Sequence, residues 1–246
     1  PASDISREEK DPLAKYVSGG GKLMVLAGPV ENGTLENLYS LLEDYGVEAA
    51  EGIVVETDRG HYAFQAPYIL LPNLQSSEIT DPLIQEHYYS IIPIAQGLTV
   101  KGADSAEVTE LLTTSETAFS KTDGYGLTTY EKEEGDTDGP FAVAVSVACG
   151  NDGQMIWFTS SHFLDDMYNA YSSGANLDLG MNALSSLIGE SEAVAIRSKS
   201  LNYNYLTISD STASLLKTVM IGVFPLLYLG IGICVVVRRR RKDEPV

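Results

Sequence analysis

Apolar residues recur along this chain in three patterns, and each predicts a different kind of element. Leu35, Leu38, Leu41, Leu42 and Tyr45 fall at the three-to-four spacing of one helix face, which Gly46 closes. Short unbroken runs at 22–27 (KLMVLA) and 52–56 (GIVVE) read instead as buried strands. A helix capped by Ser3 or Asp4 and running past Leu13, Tyr16 and Val17 precedes the first run, with Glu8 and Glu9 suited to the positive end of its dipole. Gly19, Gly20 and Gly21 end it. Helix, strand, helix, strand in this order predicts part of a parallel α/β sheet, up to about residue 60.

Between 62 and 100 the periodicity breaks up around Pro67, Pro72, Pro82 and Pro93, which predicts loops and short helices. A strand is expected at 108–114, then a solvated acidic loop at 124–140 carrying Glu131, Glu133, Glu134, Asp136 and Asp138. Runs at 141–148 (FAVAVSVA) and 154–160 (QMIWFTS) flank Gly150-Asn151-Asp152-Gly153 and read as a hairpin. Helices are expected at 163–168 and 177–188, strands at 193–197 and 203–208, and a link at 210–213.

The third pattern is continuous. From Thr218 to Val237 twenty residues pass without a charge, and Arg238, Arg239, Arg240, Arg241 and Lys242 follow at once. At about 1.5 Å per residue this run makes a helix of roughly 30 Å, the thickness of a bilayer's hydrocarbon core. Cations beside a span are retained on the cytoplasmic side, so the sequence predicts a cytoplasmic tail and an extracytoplasmic N-terminal portion. Gly222, Pro225, Gly230 and Gly232 are compatible with such a helix and predict a bend or a closely packed face. Leu226 stands where a small residue would complete a GxxxG motif with Gly222 or Gly230, so self-association through the span is not expected. The division that follows is an extracytoplasmic α/β domain at 1–213, a membrane helix at 214–237 and a basic cytoplasmic tail at 238–246.

Charge narrows the possible partners. Residues 1–214 hold 32 acidic and 10 basic side chains, net −22, against −18 for the whole chain. A field of that sign repels nucleic acid and anionic lipid headgroups and favours cations or basic partner surfaces. Cys149 lies in a strand-like run and Cys234 in the span, so no disulfide between them is expected. A portion of about 210 residues can bury a core without one. Asn32-Gly33-Thr34 fits a glycosylation sequon. An exported portion that opens on Pro1, with residues 2–6 reading as a loop and cap, predicts a piece of a longer protein.

Several clusters invite a chemical reading. Ser18-Gly19-Gly20-Gly21-Lys22 has the composition of a phosphate-binding loop, but such a loop follows a strand and opens a helix, whereas this one follows a helix and opens a strand. A helix C-cap is expected there. His162 with Asp165 and Asp166 suggests a hydrolytic pair or a helix cap; no Gly-x-Ser-x-Gly elbow accompanies Ser161, and His61 and His87 are isolated. Asp136-Thr137-Asp138-Gly139 resembles the start of a calcium loop without its remaining ligands. Tyr62, Tyr68, Tyr88, Tyr89 and Trp157 are candidate sugar-stacking rings or core residues. No catalytic, cofactor-binding or metal-ligating residue is assigned.

Asp4-Ile5-Ser6 through Gly19-Gly20-Gly21-Lys22-Leu23, 38–46 (LYSLLEDYG), Gly52-Ile53-Val54-Val55, Gly139-Pro140-Phe141-Ala142-Val143, Phe158-Thr159-Ser160-Ser161, 176–189 and the final span with its arginines resemble the Gldg family, auxiliary components of gliding-motility-type ABC transporters. The resemblance implies an extracytoplasmic three-layer α/β domain, flavodoxin-like or glutamine-amidotransferase-like, of which this chain holds part. It also implies work beside a permease and a separate ATPase subunit. It carries over no catalytic residue, because the amidotransferase triad of cysteine, histidine and glutamate has no matching positions. The expectation is a non-catalytic, membrane-anchored auxiliary subunit of an ABC-type transport system, without cofactor or metal, presenting a docking surface beside the permease. The alternative is a cell-surface hydrolase or a glycan-binding ectodomain.

Overall fold

Strands that are apolar on both faces set the architecture. In the computed structural model residues 3–101, 107–189 and 210–242 are described, and the chain divides into two units, 1–204 and 205–246. The first half of the first unit holds α1 (Arg7–Ser18), β1 (Lys22–Leu26), α2 (Glu36–Glu43), β2 (Val47–Ala49), β3 (Ile53–Val55), β4 (Ile69–Leu70), β5 (Asn73–Leu74), α3 (Asp81–Gln85), β6 (Ile92–Pro93) and β7 (Leu98–Val100). The second half holds β8 (Glu107–Thr113), β9 (Phe119–Lys121), β10 (Thr137–Asp138), β11 (Ala142–Ala148), β12 (Gln154–Phe158), α4 (Asp166–Tyr171) and α5 (Ala175–Ile188).

β1, β12 and β11 lie side by side in the main sheet, with β8 and β5 beyond β11 and the β7–β2 pair joined to β11 at Ala142. β1 runs parallel to β12, and the other pairs of this sheet are antiparallel. Alternate residues of these strands enter two different cores. Met24, Leu26, Ile156 and Phe158 pack in one core with Leu179, Ala183 and Leu187 of α5. Leu23, Val25, Met155 and Trp157 pack in the other with Val17 of α1 and Leu38, Leu41 and Leu42 of α2. Both faces need a cover, so helices lie on both sides and the unit is a mixed α/β structure with several sheets.

The parallel sheet expected up to about residue 60 is not what forms. β3 leaves the main sheet and pairs antiparallel with β9, Val54 opposite Ser120, while β10 completes that second sheet. Three residues are too few for local pattern to choose a partner strand. Gly52 permits the close approach: its φ is +91°, and a Cβ there would sit 1.8 Å from the Lys121 carbonyl oxygen. Elsewhere local chemistry suffices. Asn151 and Asp152 adopt φ of +47° and +63°, and Gly153 donates to the Gly150 carbonyl at 2.7 Å, a type I′ turn that closes the β11–β12 hairpin.

Three sets of polar contacts cap or position the covering helices. The N-cap of α1 is Ser6 rather than Ser3 or Asp4: Ser6 Oγ accepts from the Glu9 amide at 3.2 Å, and the Glu9 carboxylate accepts from the Ser6 amide at 2.8 Å. Asp4 caps α2 instead. Its carboxylate accepts from the amides of Asn37 (2.8 Å) and Leu38 (3.0 Å), because Leu35, which begins that helix, has no acceptor of its own. On the opposite face the buried Asn176 of α5 donates to the carbonyls of Ile91 (2.8 Å) and Phe163 (2.7 Å). It accepts from Ser90 Oγ and the Ile91 amide, both at 2.9 Å. Phe163 is therefore buried ahead of α4, rather than opening a helix at 163 as the sequence suggests.

The second unit comprises α6 (Asp210–Thr218), a π-helical turn (Val219–Val223) and α7 (Phe224–Lys242). The expected link at 210–213 is the first turn of α6. Pro225 explains the π turn, since it has no amide to donate to the Ile221 carbonyl. Ser214–Val236, with mean hydropathy 2.5, is long and apolar enough to cross a bilayer. The strands expected at 193–197 and 203–208 lie outside the described residues.

Loss of Asn176 leaves buried donors and acceptors unpaired, at about 1–3 kcal/mol for each group, whereas loss of the Asp4 cap costs only about 1 kcal/mol. Urea denaturation is expected to show Asn176→Ala well below Asp4→Ala in stability. Equal losses would contradict this ranking.

Candidate functional site

β1 ends at Leu26, and the chain turns away through Ala27 and Gly28 before α2 begins. Gly28 is squeezed there, for a Cβ would lie 3.0 Å from the carbonyl oxygens of both Ile94 and Thr159. Tyr39 of α2 donates to the Ala27 carbonyl at 2.7 Å and leans on Trp157, ring centroids 5.1 Å apart. Beyond the C-terminal end of β1, where ligands settle in open α/β sheets, Tyr39 borders a cavity of about 430 Å³. Its wall is completed by the loop after Gly28, by Ala49 and Glu51, by Gln96 and by residues 122–126. Gln96 Nε2 donates to the Ala50 carbonyl at 2.9 Å, and the Tyr125 hydroxyl to the Pro29 carbonyl at 3.4 Å.

Five acidic residues line this cavity, Glu31, Glu36, Glu43, Glu51 and Asp123, and the lining residues include no Lys, Arg or His; Glu36 and Glu43 also border a neighbouring hollow with Arg7 and Lys10. Burial, and after it the charge of Glu31, pushes the Tyr125 phenol up. The wall therefore presents acceptors and negative charge, which suit ammonium, guanidinium or other donor-rich groups.

The residues singled out from sequence lie elsewhere. The amides of Gly19, Gly20 and Gly21 donate to the carbonyls of Lys15, Val17 and Tyr16 at 3.0, 3.1 and 2.9 Å. All three close α1, with Gly20 at φ +100°, so the C-cap reading holds and these amides are already engaged. His162 Nδ1 lies 2.8 Å from Asp165 Oδ2, and both side chains are about half exposed. Asp165 precedes α4 without bonding its amides, so it is not the side-chain cap that the sequence suggests. His61 sits between Asp58 (3.1 Å) and Asn73 (3.2 Å), and His87 is exposed. Trp157 is fully buried, Tyr62 lies 4.8 Å beneath the Arg59 guanidinium, Tyr68 packs on Tyr130, and Tyr89 donates to the Tyr171 carbonyl. Cys149 is a buried free thiol whose pKa burial pushes up, and Cys234 is also free.

The acidic loop at 124–140 is more than a solvated surface. Its centre is Lys121, a fully buried side chain whose ammonium bonds the Glu131 carbonyl at 3.0 Å, the Asp136 carboxylate at 3.2 Å and Glu133. The bond to Glu133, joined by Asp136, holds the Lys121 pKa above its ordinary value against desolvation. Burial alone would raise Asp136, but the amides of Glu133 and Thr122 and the Lys121 ammonium outweigh it, and its carboxyl lies below the usual range. Asp138 pairs with Lys132. The calcium-like carboxylates thus have lysine partners, and among the described residues no cluster of three or more His, Cys, Asp or Glu is placed to hold a metal.

A second buried charge lies after β3. Glu56, 2% exposed, accepts from the Ser115 amide at 2.8 Å and from Ser115 Oγ at 2.6 Å. Burial raises its pKa; the Ser115 bonds and His61 pull downward, and Asp58 adds to the rise. Folding therefore favours the protonated form. Stability from this group is full below the ordinary value of 4.5 and is lost as pH rises through the folded value.

No known protein-family description matches the chain, and no curated protein does. Among solved structures it is similar to one described as "mmIFT52 N-terminal domain", with a TM-score of 0.54 at 19% identity, over 76% of this chain and 73% of that one. At that identity the likeness is one of fold.

Glu56→Gln keeps an acceptor toward Ser115 and removes the titration. As pH rises from below 4.5 through the raised folded value, the wild type is expected to lose stability relative to this variant in urea denaturation. Parallel pH profiles would show that burial does not raise Glu56.

Proposed function

We propose that this chain is a non-enzymatic, membrane-anchored auxiliary subunit whose acidic cleft is a docking surface for a basic partner. The observation that carries the reading is the cleft itself, five acidic residues with no cation among the lining residues. A cavity offering acceptors and negative charge selects donors, and lysine or arginine side chains of a neighbouring protein fit that chemistry. The apolar helix at Ser214–Val236 supplies the anchor, and the cations from Arg238 to Lys242 support a cytoplasmic tail with the folded domain outside.

Under the resemblance to the Gldg family, the partner is the permease of an ABC-type transport system, and a separate subunit hydrolyses ATP. The parallel β1–β12 pair, helices on both faces and the cleft beyond β1 support reading the domain as a reduced flavodoxin-like or amidotransferase-like layer. The hydrolase and glycan-binding alternatives rest on His162 with Asp165 and on Tyr62, Tyr68, Tyr88, Tyr89 and Trp157, none of which lines the cleft.

Docking by charge is salt-sensitive. Changing Glu31→Gln, Glu51→Gln and Asp123→Asn together is expected to cut retention of permease and ATPase subunits, in mild-detergent extracts of native membranes, by about tenfold. Wild-type retention should fall as salt is raised. Undiminished retention by the triple variant, or the absence of both subunits from the wild-type preparation, contradicts the reading.

A further inference from the structure

We infer that the cationic end of α7 is a binding surface for anionic phospholipid headgroups of the cytoplasmic leaflet, phosphodiester lipids such as phosphatidylglycerol, gathered around the helix as it leaves the bilayer. The inference rests on the apolar helix being the membrane anchor. Ser214–Val236 is long and apolar enough to span, Val237 is the last uncharged residue, and Arg238, Arg239, Arg240, Arg241 and Lys242 come next. Retaining a tail in the cytoplasm asks only that cations follow the span, whatever their backbone conformation. Here the conformation is fixed. α7 runs unbroken from Phe224 to Lys242, so the helix that leaves the bilayer carries all five cations on one rod.

Helical rise sets their depth. Five residues advance about 7.5 Å along the axis, and the headgroup layer on each side of the hydrocarbon is about 5–7 Å thick. The cations therefore stay at the level of the lipid phosphates, where an extended tail would carry them past it into water. Successive positions turn by about 100°, so the five go once round the axis and meet headgroups on every side instead of converging on one multiply charged group. Four of the five are arginines, whose planar guanidinium takes two phosphate oxygens at once. Arg238 and Arg239 are exposed. No acidic residue occurs between 211 and 242 to offset the cluster from the preceding turns, and Asp243 and Glu244 after it leave five cations against two acids. Residues 1–214 carry the opposite charge, net −22, so attraction to an anionic surface belongs to this segment. A free phosphate offers the same oxygens, but a lipid already held at this depth gives up less freedom on binding.

Energy transfer in vesicles tests this. The full chain, with a donor dye on Val246→Cys in a Cys234→Ser background and Cys149 buried, is placed in phosphatidylcholine vesicles. These are doped with a trace of phosphatidylglycerol or, separately, of phosphatidylcholine, each bearing an acceptor dye on an acyl tail. Transfer is expected to report the anionic lipid about fivefold enriched around the helix end, the factor equivalent to about 1 kcal/mol for a cation at an anionic surface. The excess should shrink as salt is raised and should withstand inorganic phosphate at constant ionic strength. Arg239→Gln, Arg240→Gln and Arg241→Gln together should remove most of it, with Arg238 and Lys242 still beside the span and the chain still resistant to alkaline carbonate extraction. Equal transfer to the two lipids, an excess retained by the triple glutamine variant, or an excess abolished by inorganic phosphate would overturn the proposal while a carbonate-resistant chain keeps its anchor. A chain stripped from the vesicles by carbonate overturns the anchor and the proposal together.

Discussion

The structure of the first unit depends on one constraint, that its central strands bury side chains on both faces. Met155 and Trp157 enter one core while Ile156 and Phe158, their immediate neighbours, enter the other. Neither face tolerates water, so α1 with α2 and α5 must close on the sheet from opposite sides. Emptying a site such as that of Trp157 costs on the order of 3–5 kcal/mol, against a total stability of about 5–15 kcal/mol. Caps and ion pairs adjust the cover by smaller amounts. Asp4 and Asn176 matter because they fix where the helices sit on a surface that apolar contact alone would leave free to slide.

The same constraint places the cleft. With both faces occupied, the open ground is at the strand ends, and the loop that leaves β1 at Gly28 has to pass over the edge of the sheet before α2 returns. β3 and β9 form a separate small sheet whose trailing segment, 122–126, closes the cavity from the far side. Lys121, at the end of β9, bonds the acidic loop that follows and so holds that wall. Carboxylates at the rim are compatible with this scaffold because they remain near water. The buried Lys121 instead has its charge matched by Glu133 and Asp136, as a fully enclosed ammonium requires.

Legibility in the sequence followed the range of the interactions. The hairpin at 150–153, the glycine stop after α1, the strand at 22–26 and the apolar helix near the C-terminus each rest on neighbours in the chain, and each was readable from a handful of residues. The sequence does not place β3, because its partner, β9, lies more than sixty residues away and three residues carry no register information. Local sequence makes Asp4 a cap candidate for the nearest helix, whereas its partners are the amides of Asn37 and Leu38. The cleft was invisible for the same reason: Glu31, Glu51 and Asp123 come from separate loops, and no spacing relates them. Lys121 leaves a faint signal in the sequence, a cation just before an acidic run.

The proposed function requires the folded acidic domain to face away from the cytoplasm, held by the apolar helix at Ser214–Val236. Thiol labelling on intact cells with a membrane-impermeant maleimide tests it most directly, using Thr34→Cys at the rim of the cleft and Asp243→Cys beyond the arginine cluster, each in a Cys234→Ser background. Labelling of the first in intact cells, and of the second only after permeabilisation, is the predicted result. The reverse pattern, or a chain recovered entirely in the soluble fraction, would contradict it.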